Sequence, residues 1–185
     1  MSTHFISYIL LAFLQISWPA PGTAIVADFT GQVVGVIDGD TLEVLHNQIP
    51  ERIRLSGIDC PEKGQAFGQR VKQAASDLSF GKDVTIQTHG HDKYKRTIGE
   101  VILPDGMHLN QELVKQGWCW WYRRYAPGDT VLKGLEAEAR EARKGLWVEP
   151  TPTPPWEWRQ LRRSRSSHLP NHLLRPAARC LLSHH

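Results

Sequence analysis

Arg54, Asp59 and Glu62 stand at the end of one apolar run, Ile53-Arg54-Leu55-Ser56-Gly57-Ile58-Asp59-Cys60-Pro61-Glu62, downstream of Asp38-Gly39-Asp40-Thr41. Such a set can gather a hard divalent cation, a water and a phosphate at one point. Side chains at i, i+2 and i+4 of a strand share a face, so Ile53, Leu55 and Gly57 point one way and Arg54, Ser56 and Ile58 the other. Pro61 gives no amide hydrogen to a ladder and disfavours helix at Cys60, so the strand is expected to end at Asp59. Asp59 and Glu62 then lie at a strand mouth, where rigid scaffolds carry functional loops. Taken alone, the same residues also describe a surface strand followed by an Asp-initiated turn.

Three other segments bear on that choice. Asp38-Gly39-Asp40-Thr41 lies between the β-prone stretches 32–37 and 42–45 and reads as a hairpin turn, with Gly39 supplying positive φ. Turn chemistry accounts for Asp38-Gly39 but not for Asp40. His91-Asp92-Lys93-Tyr94-Lys95-Arg96-Thr97 is a charged loop with an embedded aromatic, set between two strand-like runs. Gly117-Trp118-Cys119-Trp120-Trp121-Tyr122-Arg123-Arg124-Tyr125-Ala126-Pro127 interleaves aromatics with arginines, a composition suited to stacking bases and neutralising phosphates. Trp118, Trp120 and Trp121 are expected to be partly core rather than all base platforms, since aromatics bury large apolar areas. Arg123 and Arg124 suit solvent as well as phosphate.

Together these motifs, in order from Gly31 to Trp147, resemble the staphylococcal nuclease (thermonuclease) family. The resemblance implies an α+β fold, a five-stranded OB-fold barrel with three helices, and a calcium-dependent endonuclease acting on DNA and RNA, with cleavage leaving 3′-phosphates. It maps catalytic roles onto Arg54, Glu62 and Arg96, substrate contacts onto Lys93, Tyr94 and Tyr125, and one Ca2+ onto Asp40, Asp59 and the backbone carbonyl of Cys60. Between Glu62 and the first helix this chain has only Lys63-Gly64-Gln65-Ala66, shorter than the lysine-rich loop of the staphylococcal enzyme.

The chemistry is consistent on its own terms. A phosphodiester repels nucleophiles, so its hydrolysis needs charge neutralisation and an activated water. Carboxylates are hard donors suited to calcium, Glu62 can take a water proton, and arginines can fork onto phosphate oxygens. A catalytically silent OB module binding single-stranded nucleic acid is the alternative, and a small-nucleotide phosphodiesterase a weaker one. A binding module would not need Arg54, Glu62, Arg96, Asp40 and Asp59 together. His89 and His91 have ligand-like spacing without a partner cluster, which speaks against zinc; His46 and His108 read as surface residues.

The elements that must position these residues follow from periodicity. Strands are expected near 30–37, 42–45 and 52–58, then a helix near 65–78 with Val71, Ala74, Ala75 and Leu78 on one stripe. Two further strands precede a helix near 110–116, capped by Asn110 and ended by Gly117. A last helix is expected over 130–144, with Asp129 as N-cap, Gly145 just past its end, and Val131, Leu135, Ala139 and Ala142 facing inward. A Cys60–Cys119 disulfide is one of two open alternatives for those thiols.

The 185 residues suffice for one domain with ends. Residues 1–27 resemble an export signal or an N-terminal anchor, 28–149 the nuclease domain, and 150–185 a Pro/Arg-rich tail expected to be disordered. The expectation is a secreted or periplasmic monomer with no obligate protein partner, touching a membrane only if the leader stays uncleaved. The tail has six arginines against one glutamate, giving +5, so the formal +3 of the whole chain leaves −2 for residues 1–150.

Overall fold

A computed structural model describes residues 28–167; the leader, and with it the expected export signal, lies outside the described residues. In chain order the elements are β1 (Phe29–Asp38), β2 (Thr41–His46), β3 (Ile49–Leu55), β4 (Ile58–Asp59), α1 (Gly68–Ser79), β5 (Asp83–His91), β6 (Thr97–Ile102), α2 (Leu109–Lys115), β7 (Trp120–Trp121), α3 (Thr130–Glu141), a 3-10 turn (Gly145–Val148) and α4 (Pro155–Ser167). Five strands close into a barrel in the order β1-β2-β3-β6-β5, with β3 and β6 parallel and the other pairs antiparallel. This is the expected OB-like α+β barrel, with four helices among the described residues rather than three. No described helix is long and apolar enough to cross a membrane.

Alternation explains the closure. Val33, Leu42, Val44, Ile53, Leu55, Val84, Ile86 and Val101 turn inward and are fully or almost fully buried. Each such side chain removed from water contributes roughly 1.5–3 kcal/mol before entropy is subtracted. Val71 and Ala75 of α1 and Leu109, Leu113 and Val114 of α2 join the same core. Trp120 and Trp121 are also buried, at 3% and 7% exposure, so they serve packing rather than base stacking.

Several local expectations are corrected. The strand expected over 52–58 breaks at Ser56-Gly57, and Ile58-Asp59 pairs separately with Trp120-Trp121. Gly39 does not adopt positive φ. Its absent side chain matters instead: a Cβ there would lie 2.2 Å from Val71 Cγ1 and 3.0 Å from Cys60 Cβ, so glycine lets the β1–β2 turn sit against α1.

Asn110 is not a helix cap. It is buried within α2, where its Oδ1 accepts from the Val101 amide at 3.1 Å and its Nδ2 donates to the Ser56 carbonyl at 2.9 Å, fastening β6 to the turn before β4. Asp129 does cap α3, accepting from the Leu132 amide at 2.8 Å. That helix ends at Glu141, Arg143 takes the left-handed conformation, and Gly145 begins the 3-10 turn rather than closing the helix. The buried face is Leu132, Glu136 and Ala139; Val131 is 52% exposed. Of the expected stripe Ala139 is buried and Leu135 packs against the core, while Val131 and Ala142 are exposed and Leu132 and Glu136 turn inward instead, Glu136 as an ion pair with Arg123 and Arg140.

The largest correction concerns the first half of the expected tail, residues 168–185 of which lie outside the described residues. Residues 155–167 form α4, opened by Pro155, a residue whose fixed φ and missing donor suit the first helical turn. Pro155 is buried, and the Trp156 ring stacks on Tyr122 at 5.4 Å and meets Trp120 edge-on at 6.4 Å.

Candidate active site

The barrel register builds one rim. Thr41 pairs with Arg54 across β2–β3, and Arg54 pairs with Ile98 across β3–β6. Asp40 precedes the first of these residues, and Arg96 lies two positions before the last. Three chemically active side chains from distant parts of the sequence therefore meet at one end of adjacent strands. The break at Ser56-Gly57 then turns β4 so that Asp59 joins them.

Arg54 ties the rim together. Its Nη1 donates to the Leu55 carbonyl at 2.9 Å, and its Nη2 lies 3.2 Å from Asp40 Oδ2 and 3.1 Å from Asp59 Oδ1. Both carboxylates are nearly enclosed, Asp59 at 1% exposure. Asp40 also accepts from the Cys60 amide at 2.9 Å and from the Thr41 hydroxyl at 3.2 Å. Thr41 Oγ1 accepts in turn from Arg96 Nη1 at 3.3 Å, so the two arginines flank Asp40.

Burial pushes the Asp59 carboxyl above its ordinary range, and Asp40 adds to the rise; Arg159 and Arg54 oppose it. Asp38, whose Oδ1 accepts from the Asp40 amide at 3.2 Å, is pushed up to about 7 by burial and by Asp40. Two converging carboxylates beside the Cys60 main chain are hard oxygen donors of the kind calcium takes, and they fit such an ion. Among the described residues no group of three His, Cys, Asp or Glu side chains forms a metal cage. An ion here would rest on Asp40, Asp59 and a main-chain oxygen, with other positions open to water or substrate.

Glu62 follows Pro61 on the loop to α1. That loop is compact: the Gln65 amide donates to the Glu62 carbonyl at 2.8 Å, and the Glu62 amide to Gln65 Oε1 at 3.2 Å. A Cβ on residue 68 would stand 2.0 Å from the Glu62 carbonyl oxygen, so Gly68 permits this close approach. The Cys60–Cys119 disulfide is formed, with Cα atoms 4.3 Å apart, directly beyond the Asp59–Trp120 pair. It fixes the strand end from which Asp59 and Glu62 project.

The loop between β5 and β6 presents the second arginine. Asp92 Oδ1 accepts from the amides of Tyr94 and Arg96 at 2.8 and 3.0 Å, while its Oδ2 takes Arg96 Nε at 2.8 Å and Nη2 at 2.7 Å. Asp92, a residue of the loop motif to which the resemblance gives no role, thus aims Arg96. Lys93 Nζ lies 5.0 Å from the Tyr94 ring centre, and that ring is 67% exposed above the loop. A cleft of about 620 Å³ opens beside them, lined by Pro50, Glu51, Arg52, Tyr94, Lys95 and Arg96. Tyr125 is 72% exposed and packs edge-on against Tyr122 rather than against the carboxylates.

One residue at the rim escaped sequence reasoning. Arg159 of α4 places Nη2 2.7 Å from Asp59 Oδ2 and Nη1 2.7 Å from Glu62 Oε1. The signal was present in Pro155-Trp156-Glu157-Trp158: two tryptophans after a proline are unusual in a segment meant to stay unfolded.

The chain is similar to several known proteins. Residues 52–149 match the family model described as "Staphylococcal nuclease homologue". A protein named "Uncharacterized endonuclease" from Escherichia coli O157:H7 is 43% identical over 152 residues, covering 82% of this chain and 96% of that protein. "Micrococcal nuclease" of Shigella flexneri is 42% identical over 143 residues, 72% of this chain and 82% of its own length. "Protein ParB" of Escherichia coli is 40% identical over 159 residues, 81% and 87% of the two chains.

Proposed function

The chain belongs to the staphylococcal nuclease family, whose chemistry is phosphodiester hydrolysis, and from that premise we propose that it is a calcium-dependent endonuclease of DNA and RNA using Arg54, Glu62 and Arg96. The observation that carries the reading is the single guanidinium of Arg54 lying 3.2 and 3.1 Å from Asp40 and Asp59, with Arg96 one hydroxyl away.

Calcium held by Asp40, Asp59 and the Cys60 carbonyl would supply positive charge to a phosphate and to a nearby water. The residues do the rest. Glu62 takes the proton of a water as its oxygen attacks phosphorus, and the bond to the leaving ribose oxygen breaks on the opposite side. Arg54 and Arg96 donate to the non-bridging oxygens, where charge accumulates in the transition state. Guanidinium suits that task because its planar fork can make two parallel bonds to a phosphate. Lys93 and Tyr94 stand beside Arg96 to meet the neighbouring nucleotide, and Tyr125 extends the substrate path along the aromatic segment.

The setting follows from the same parts. A disulfide next to the site supports an oxidising compartment, so the protein is read as secreted or periplasmic.

Cleavage of single-stranded DNA, duplex DNA and RNA, each with calcium and with chelator, tests the assignment. The intact protein is expected to cut with calcium and to stop with chelator. Glu62→Gln should lower kcat by a factor on the order of 10² to 10⁴ with little change in KM. Arg54→Lys and Arg96→Lys should each lower kcat more than nucleotide binding. Binding without cleavage under every condition would instead establish the silent OB module.

A further inference from the structure

Arg159 reaches the carboxylate rim from a helix that lies beyond the residues matched to the family. Its guanidinium bridges two side chains with different tasks. Nη2 holds Asp59 Oδ2 at 2.7 Å, Nη1 holds Glu62 Oε1 at 2.7 Å, and Nη1 also lies 3.3 Å from Asp59 Oδ1. Among the described residues, Asp59 Oδ2 has no other hydrogen-bond donor. Arg54 already takes Oδ1, so Arg159 occupies the oxygen that Asp59 has free for a cation.

The helix is seated firmly at one end only. Pro155 is buried, Trp156 stacks on Tyr122, and Gln65 Nε2 donates to the Thr153 carbonyl at 2.6 Å. Residues 160–166, by contrast, are exposed. Arg159 stands where the anchored first turn gives way to a free remainder, so its guanidinium can leave the rim while Trp156 stays in place.

A hard dication and a guanidinium cannot share this place. Both would draw on Asp59 Oδ2, and two like charges a few ångströms apart repel strongly where water is scarce. We propose that Arg159 is an internal counter-cation: it neutralises Asp59 and restrains Glu62 in the metal-free protein, and calcium displaces it. Ion binding and release of Arg159 are then one equilibrium, which keeps the metal-free enzyme stable and silent until it meets a calcium-rich medium. This rests on the ion site proposed above. Linkage is reciprocal, so whatever Arg159 contributes to the metal-free fold is subtracted from the affinity for calcium.

The full-length chain and calcium chloride alone suffice for the test, by calorimetric titration and by thermal melts in chelator and in saturating calcium. Arg159→Gln should bind calcium on the order of tenfold more tightly than the parent. Arg159→Lys should fall between, because one ammonium cannot bridge both carboxylates. Arg162→Gln, on the exposed part of the same helix, should bind calcium as the parent does. In chelator the Tm of Arg159→Gln should lie below the parent's, and in saturating calcium that deficit should vanish or reverse. Unchanged or weaker calcium binding by Arg159→Gln overturns the exchange, as does an equal Tm deficit in both media, which would make Arg159 a packing residue only. Absence of calcium binding in both the parent and Arg159→Gln overturns the ion site itself, and the exchange with it.

Discussion

Asp92 shows how a single side chain can determine the geometry of another. Its two oxygens collect the Tyr94 and Arg96 amides and the Arg96 guanidinium, so the loop backbone and the catalytic candidate are fixed by one carboxylate. Burial pushes this carboxyl up, but the hydrogen bonds from Arg96 outweigh it and hold the group below the usual carboxylate range. A group with a lowered folded value stabilises the protein above its unfolded value, about 3.9 for aspartate, and loses that contribution as pH falls through the folded value. Asp92→Asn should therefore be less stable than the parent at neutral pH, with the difference closing below about pH 4 in urea melts. The same substitution frees Arg96 and should lower kcat on the order of tenfold with smaller change in nucleotide affinity, because a displaced donor loses transition-state contact first. An unchanged kcat would mean that Arg96 finds its position without Asp92.

At the scale of elements, the short β4–β7 pair carries more than its length suggests. It holds Asp59 opposite Trp120, and the Cys60–Cys119 bridge closes a loop with a sequence separation of 59. A crosslink over a loop of that size is worth about 4 kcal/mol on a chain-entropy reckoning. Cys119→Ser should thus melt well below the parent, and reduction should shift the parent but not the variant; equal melting of the reduced and oxidised parent would remove the bridge from the energetics. The barrel strands were legible because alternation acts locally, whereas the roles expected of Asp40, Arg54, Asp59, Glu62 and Arg96 came from the family resemblance of the motifs that carry them. The role of Gly39 was not legible, since its neighbours are Val71 and Cys60, far along the chain. On α3 the inward-facing Glu136 was not legible because a glutamate paired with two arginines looks polar to any local pattern. For the same reason α4 went unread: its partners Tyr122, Gln65, Asp59 and Glu62 are long-range, and its arginines outweighed the signal of Trp156 and Trp158.

Across the whole molecule charge is divided unevenly, with +5 on residues 151–185 and −2 on the remainder. Were residues 155–167 not helical, the arginines they carry would have no fixed relation to the cleft. Arg159 changes this, because it anchors α4 at the rim and puts Arg162, Arg163 and Arg165 roughly 4 to 9 Å further along the helix axis, at 1.5 Å per residue. All three are exposed. A strand of nucleic acid entering the site would pass near them, and each phosphate they neutralise releases bound counterions. Joint substitution of Arg162, Arg163 and Arg165 by Gln, with α4 and Arg159 kept, should make the plot of log affinity against log salt shallower by about 1 to 3 units for DNA in chelator, where no cleavage occurs. Because these contacts read no bases, the loss should be similar for unrelated sequences and greatest at low salt. An unchanged slope with intact helix content by circular dichroism would show that the basic helix serves the metal-free fold and takes no part in holding substrate.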